Sequence, residues 1–141
     1  MRYMVLVKAT AESETGEMPA TPEVFEEMNR YNEELVKAGV LVAGEGLHPS
    51  SQGVRVRFDG KQRTVTDGPF AETKELIAGF WILDVKSKEE AIEWVRRAPM
   101  RDGEELEVRR VYEAEDFGDA LPDHIKEFEA ELRAKAEAQR R

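Results

Sequence analysis

The chain has 141 residues, 40% hydrophobic and 36% charged, enough for one domain around a single core and too few for two. Its 21 Lys and Arg stand against 30 Asp and Glu, a formal charge of -9 that repels phosphate backbones, so no nucleic-acid partner is expected. Cysteine is absent, which excludes disulfides, thiolate catalysis and cysteine-based metal sites.

No apolar run is long enough for a membrane helix, and the first ten residues hold only a short apolar stretch without a cleavage pattern after it. The expectation is a cytoplasmic protein with no membrane partner. Excess acid gathers in residues 12–34 and 113–131, which reads as solvated faces.

Residues 2–9 carry Tyr3, Val5 and Val7 on one alternating face and Met4 and Leu6 on the other, predicting a central strand covered on both sides. Residues 10–20, with Gly16 and Pro19, read as a loop. Thr21 can cap a helix with Pro22 at its first position, running to about Ala38 on a stripe of Val24, Met28, Tyr31, Leu35 and Ala38. Gly39 stops it. A second strand follows over 40–47, where Gly44 and Gly46 mark a bulge or the close approach of another backbone.

The run from Val54 to Phe58 alternates valine with arginine, predicting a strand with one buried face. Asp59-Gly60 is a hairpin turn, with 62–66 as the returning strand. After the break at Asp67-Gly68-Pro69-Phe70, residues 76–85 read as another central strand, with Ile77, Trp81 and Leu83 opposite Leu76, Phe80 and Ile82. Ser87 and Glu90 form a capping box for a helix buried through Ala91, Ile92, Val95 and Ala98 and ended by Pro99. Leu106, Val108, Arg110 and Tyr112 alternate in a last strand at an edge or with one side exposed. This order is α+β, a ferredoxin-like β-α-β-β-β-β-α-β layout with an inserted hairpin, plus a C-terminal helix whose stripe of Leu121, Ile125, Phe128 and Leu132 should dock on something. The domain is expected over 1–113, with an acidic linker and the helix over 114–141.

The string from Thr64 to Glu75, containing Asp67-Gly68-Pro69-Phe70 and Glu72-Thr73-Lys74-Glu75, resembles the DGPF branch of the YCII-related family. The run from Glu34 to Leu47 and the closing strand around Val108 fit the same family, so the resemblance covers about residues 1–113. It implies a homodimeric α+β barrel, two sheets facing across a two-fold axis and enclosing a pocket. Some members are proposed enzymes with a histidine on the first helix paired with an aspartate. Aligned on Gly39, that histidine position is Met28, so the dyad is missing and the reading leans away from an enzyme.

Asp67 either anchors a ligand or base in a cleft, or accepts turn N–H groups while Phe70 plugs the core. His48, held extended by Pro49, is either a general base oriented by Glu45 or Asp67 or a loop residue. Trp81 is a core residue or a pocket wall, and Arg55, Arg57, Arg109 and Arg110 either bind a carboxylate or face solvent. No metal site, cofactor fingerprint or nucleophile elbow is present. The leading reading is a homodimeric small-molecule-binding or regulatory module with Glu45, His48, Asp67, Trp81 and Arg109 as candidate ligand residues. The alternatives are a small enzyme using Asp67 and His48 for acid–base chemistry on a small organic acid, and a transcription-linked protein-interaction module.

Overall fold

Alternating apolar residues need cover on two faces, and the sheet shows how far one chain supplies it. The structure, a computed structural model, describes residues 1–19 and 21–140. Strand β1 (Arg2–Lys8) buries Tyr3 and Val5 on one face and leaves Met4 and Leu6 partly exposed on the other. It pairs antiparallel with β5 (Ile77–Asp84) and β6 (Leu106–Arg110), and β2 (Leu41–Gly46) adds to β5, giving the order β2-β5-β1-β6. That is the ferredoxin-like order, with β1 and β5 central and β6 at an edge, as their sequences require.

Helices α2 (Glu23–Lys37) and α3 (Lys88–Arg96) cover one face only. Their Tyr31, Leu35 and Ala91 meet Tyr3, Val5, Trp81 and Leu83, and Leu35, Leu83 and Val5 are fully buried. Each such large apolar side chain contributes roughly 1.5–3 kcal/mol. The predicted stripe on α2 is shorter than its spacing suggests, because Val24 and Ala38 at its two ends are exposed. A helix of 15 residues spans roughly 22 Å and overhangs the strands beneath it.

Tyr31 donates its hydroxyl to the Trp94 carbonyl at 2.7 Å, and burial pushes its pKa up to about 12, with Arg97 opposing and Glu34 adding to the shift. The unfolded phenol releases its proton near pH 10. Between about 10 and 12 the unfolded state therefore binds fewer protons than the folded one, and stability falls as pH rises through that window. Tyr31→Phe is expected to flatten this decline in urea midpoint; an equally steep fall in the variant refutes the assignment.

Four further local expectations change. Thr21 does not cap α2: Pro22 is the N-cap residue, and among the described residues no side chain bonds the first turn. Residues 10–20 are not all loop: Thr10 caps a short helix α1 (Ala11–Glu14), its Oγ1 accepting from the Ser13 N–H while Ser13 Oγ accepts from the Thr10 N–H. Ala20, in that same stretch, lies outside the described residues. At α3 the box is offset, since Ser87 Oγ accepts from the Glu90 N–H but the Glu90 carboxylate takes the Lys86 N–H, one residue before the expected one. Finally β3 (Val54–Asp59) and β4 (Gln62–Asp67) form a hairpin paired only with itself, and every residue of it is exposed. The buried face expected from its alternation is not buried within this chain.

Residues fall into two compact units, Met1–Val111 and Tyr112–Arg141. In the second, Tyr112 stacks on Phe117 at 5.0 Å, and a 3₁₀ segment (Ala114–Ala120) leads to α4 (Asp123–Gln139). Ile125, Phe128 and Leu132 on α4 are exposed. Among the described residues, no helix is long and apolar enough to cross a membrane.

Candidate functional site

Strand register sorts the site candidates by face. On the helix side the row Val108, Val5, Trp81, Gly44 lies beside the row Leu106, Val7, Gly79, Gly46. The two glycines ending the second row remove the side chains that would otherwise fill the space below α2. A cavity of about 260 Å³ results, lined among others by Val7, Met28, Asn32, Gly44, Gly46 and Trp81.

Its wall is fixed. Trp81 is buried, donates Nε1–H to Asn32 Oδ1 at 2.9 Å and meets Tyr31 edge-on at 5.6 Å. Gly44 has to be glycine here, because a Cβ would stand 2.9 Å from Trp81 Cδ1. Gly79 is equally constrained, with a Cβ 2.8 Å from the Glu45 carbonyl oxygen. Gly46 differs: its Cβ would meet nothing within 4 Å, and packing leaves it free to be larger. The backbone approach expected at Gly44 or Gly46 falls instead at Gly79, Gly44 being closed by the Trp81 side chain, and β2 carries its register shift between Leu41 and Ala43.

Gly46 and Ala78 also line a second cavity of about 550 Å³, so the two spaces adjoin. The larger one is bordered by Thr10, Ser13, His48, Gln52 and Arg101. Helix α1 is strapped beside it from both ends. The Arg101 guanidinium reaches Glu12 at 3.1 Å and Glu104 at 3.4 Å, while the Glu14 carboxylate accepts the Ser50 N–H at 2.9 Å and the Ser50 hydroxyl. Ser50 Oγ in turn accepts the Phe70 N–H at 3.0 Å, and the Gly68 N–H reaches the Gly53 carbonyl at 2.9 Å. Arg55 lies 3.7 Å above the Phe70 ring. The Gly68-Pro69-Phe70 turn is thereby clasped to residues 50–53, and its glycine is required because a Cβ there would fall 1.8 Å from the Ser50 carbonyl oxygen.

The sequence-derived candidates are dispersed by this arrangement. Trp81 walls the smaller cavity beside Met28. His48 borders the larger cavity, and Asp67, opposite Val54 at the end of the hairpin, borders neither. Glu45 is among the residues that line the smaller cavity, although its pairing with Phe80 puts its side chain, like that of Arg109 opposite Met4, on the sheet face away from the helices; Arg109 approaches Glu107 at 4.0 Å. Asn32 was not singled out from sequence, although it lies four residues after Met28 and hence on the same helical face. No group of three or more His, Asp or Glu among the described residues is placed to hold a metal ion.

An uncharacterized protein of Rhizobium meliloti (strain 1021) is 34% identical over 73 residues, 52% of this chain; the match spans 59% of that protein's length. Among solved structures, 5-chloro-2-hydroxyhydroquinone dehydrochlorinase from Burkholderia phenoliruptrix AC1100, in complex with 2,5-dihydroxybenzoquinone, matches 80% of this chain and 96% of its own, at 15% identity and a TM-score of 0.40. The YCII-related domain matches residues 1–115, a span that contains the whole four-stranded sheet, α1 to α3 and the hairpin. The chain belongs to the YCII-related domain family.

Proposed function

We propose that the protein is a homodimeric small-molecule-binding module whose ligand enters the cavity between α2 and the glycine floor. One observation carries the reading: Gly46 opens into space that no packing neighbour claims, beside a tryptophan whose single polar atom is already satisfied. The ligand is small, mostly apolar and flat enough to lie along Trp81. An apolar cavity of roughly 150 Å³ accommodates benzene, so about 260 Å³ suits a bicyclic molecule.

Met28 lines this cavity where the family resemblance places a histidine, and Glu45, also among its lining residues, pairs with Phe80 so that its side chain belongs to the opposite sheet face. This supports binding over catalysis. An enzyme pairing His48 with Asp67 gains no support, since the two residues border no common cavity. Dimerisation is supported by the sheet face away from the helices, where Met4, Leu6, Phe80 and Ile82 are only half-buried. A second copy covers them. A cytoplasmic setting, with which the absence of cysteine is compatible, is part of the same proposal.

Indole, a flat apolar probe with one N–H, tests the site. It is expected to shift the amide resonances of Gly44, Gly46 and Gly79 saturably. Gly46→Val should weaken that binding at least about tenfold while leaving the melting temperature almost unchanged, because its Cβ would meet nothing within 4 Å. Binding that is absent, or indifferent to Gly46→Val, rules the site out.

A further inference from the structure

We infer that the β3–β4 hairpin is an arm that docks on a second copy of this chain, each copy covering the open sheet of the other. The inference rests on the homodimer reading above and adds the element that makes the contact. Register pairs Val54 with Asp67, Val56 with Val65 and Phe58 with Arg63, which puts Val54, Val56, Phe58 and Val65 on one face of the hairpin, with Asp67 and Arg63 at its two ends. Arg55, Arg57, Thr64 and Thr66 share the other. The apolar face is bare: Val54 is 57% exposed, Val56 47%, Phe58 71% and Val65 62%. A two-stranded hairpin is marginal by itself in water, and one that shows this much apolar surface needs a cover.

The same domain carries a second surface in need of one, the row Met4, Leu6, Phe80 and Ile82. Two different uncovered surfaces on one chain are satisfied together by a two-fold pair, in which each copy gives its arm and receives its partner's. The dimensions agree. Six residues of strand extend roughly 20 Å, and four strands side by side span about the same distance. Charge agrees as well: Arg55, Arg57, Lys61 and Arg63 against Asp59 and Asp67 make the hairpin net positive, while the whole chain carries -9. The acidic remainder of a second copy attracts it. At its base the arm is held by Arg55 over Phe70, and near its tip Arg63 lies 4.6 Å over Phe58.

The test uses the full chain with p-benzoylphenylalanine in place of Phe58, an exposed position that tolerates an aromatic of similar shape. Light scattering on the unmodified chain is expected to give the dimer mass, and irradiation of the substituted one a cross-linked dimer whose joined peptide maps to β1 or β5. Val56→Asp combined with Phe58→Asp should raise the dimer dissociation constant about a hundredfold or more with the circular dichroism unchanged. A dimer that cross-links only within a chain, or that ignores the double substitution, overturns the arm and leaves the homodimer standing. A monomer at tens of micromolar overturns both. Gel-shift binding of DNA lost in the double variant would instead assign the arm to nucleic acid and also sink the inference.

Discussion

Gly68→Ala is expected to be among the most damaging single-methyl changes in the chain. Its Cβ would lie 1.8 Å from the Ser50 carbonyl oxygen and 2.7 Å from the Ser50 carbonyl carbon, both backbone atoms. Ser50 cannot withdraw without loosening its bonds to Glu14 and Phe70, so the collision is transmitted to α1 and to the base of the hairpin. A loss of about 3 kcal/mol, seen as a melting temperature lower by roughly 10 °C, is the expected size. Gly60→Ala is the control: φ is +58° there but nothing lies within 4 Å, so only backbone strain of about 1 kcal/mol is added. If the two variants melt together, the Asp-Gly-Pro-Phe turn is not clasped as described.

Trp81→Ala is expected to cost about 3–5 kcal/mol, in the range for truncating a buried aromatic side chain. The indole is 6% exposed, meets Tyr31 edge-on and takes up the Asn32 carbonyl oxygen. Its removal joins the small cavity to a larger void and leaves Asn32 without its donor. Trp81→Phe should lose less, and Asn32→Ala in the Trp81→Phe background should then cost less than in the wild type. That non-additivity, about 1 kcal/mol in urea unfolding, reports the hydrogen bond alone. Strict additivity would mean that the bond contributes nothing. Either tryptophan variant should also lose indole binding, which separates the wall from the floor probed by Gly46→Val.

The order of elements was legible because it depends on local regularities. Period-two alternation marks β1, β5 and β6, the spacing of Tyr31 and Leu35 marks α2, and Ser87 marks the start of α3. Short-range chemistry was read less well. Thr10 caps α1 with Ser13 standing where Glu or Gln usually signals a capping box, and the stretch therefore read as a loop. Gly44 and Gly46 read alike as a bulge or the close approach of a backbone, yet Gly44 is closed by the Trp81 side chain and Gly46 by nothing within 4 Å, a difference set by what lies opposite.

The candidate site divides in the same way. Trp81 was read as either core or wall, and it is both, since one edge packs on Tyr31 while another borders the cavity. His48 and Asp67 suggest a pair in sequence, yet His48 lies on the connection after β2 and borders the larger cavity, whereas Asp67 ends β4 opposite Val54 and borders neither cavity. Asn32 carries no signal as a lone polar residue on an acidic helix. It gains a role only when β5 brings Trp81 Nε1 to within 2.9 Å.

By itself the amino-acid order determined where the strands and the three longer helices lie and which faces of them are apolar, because those properties reside in residues a few positions apart. Only the tertiary structure decided which apolar face was covered. The helices take one side of the sheet, leaving Met4, Leu6, Phe80 and Ile82 half-open and the hairpin valines bare. Alternation records that a face avoids water; it carries no information about which distant segment, or which second molecule, shields it.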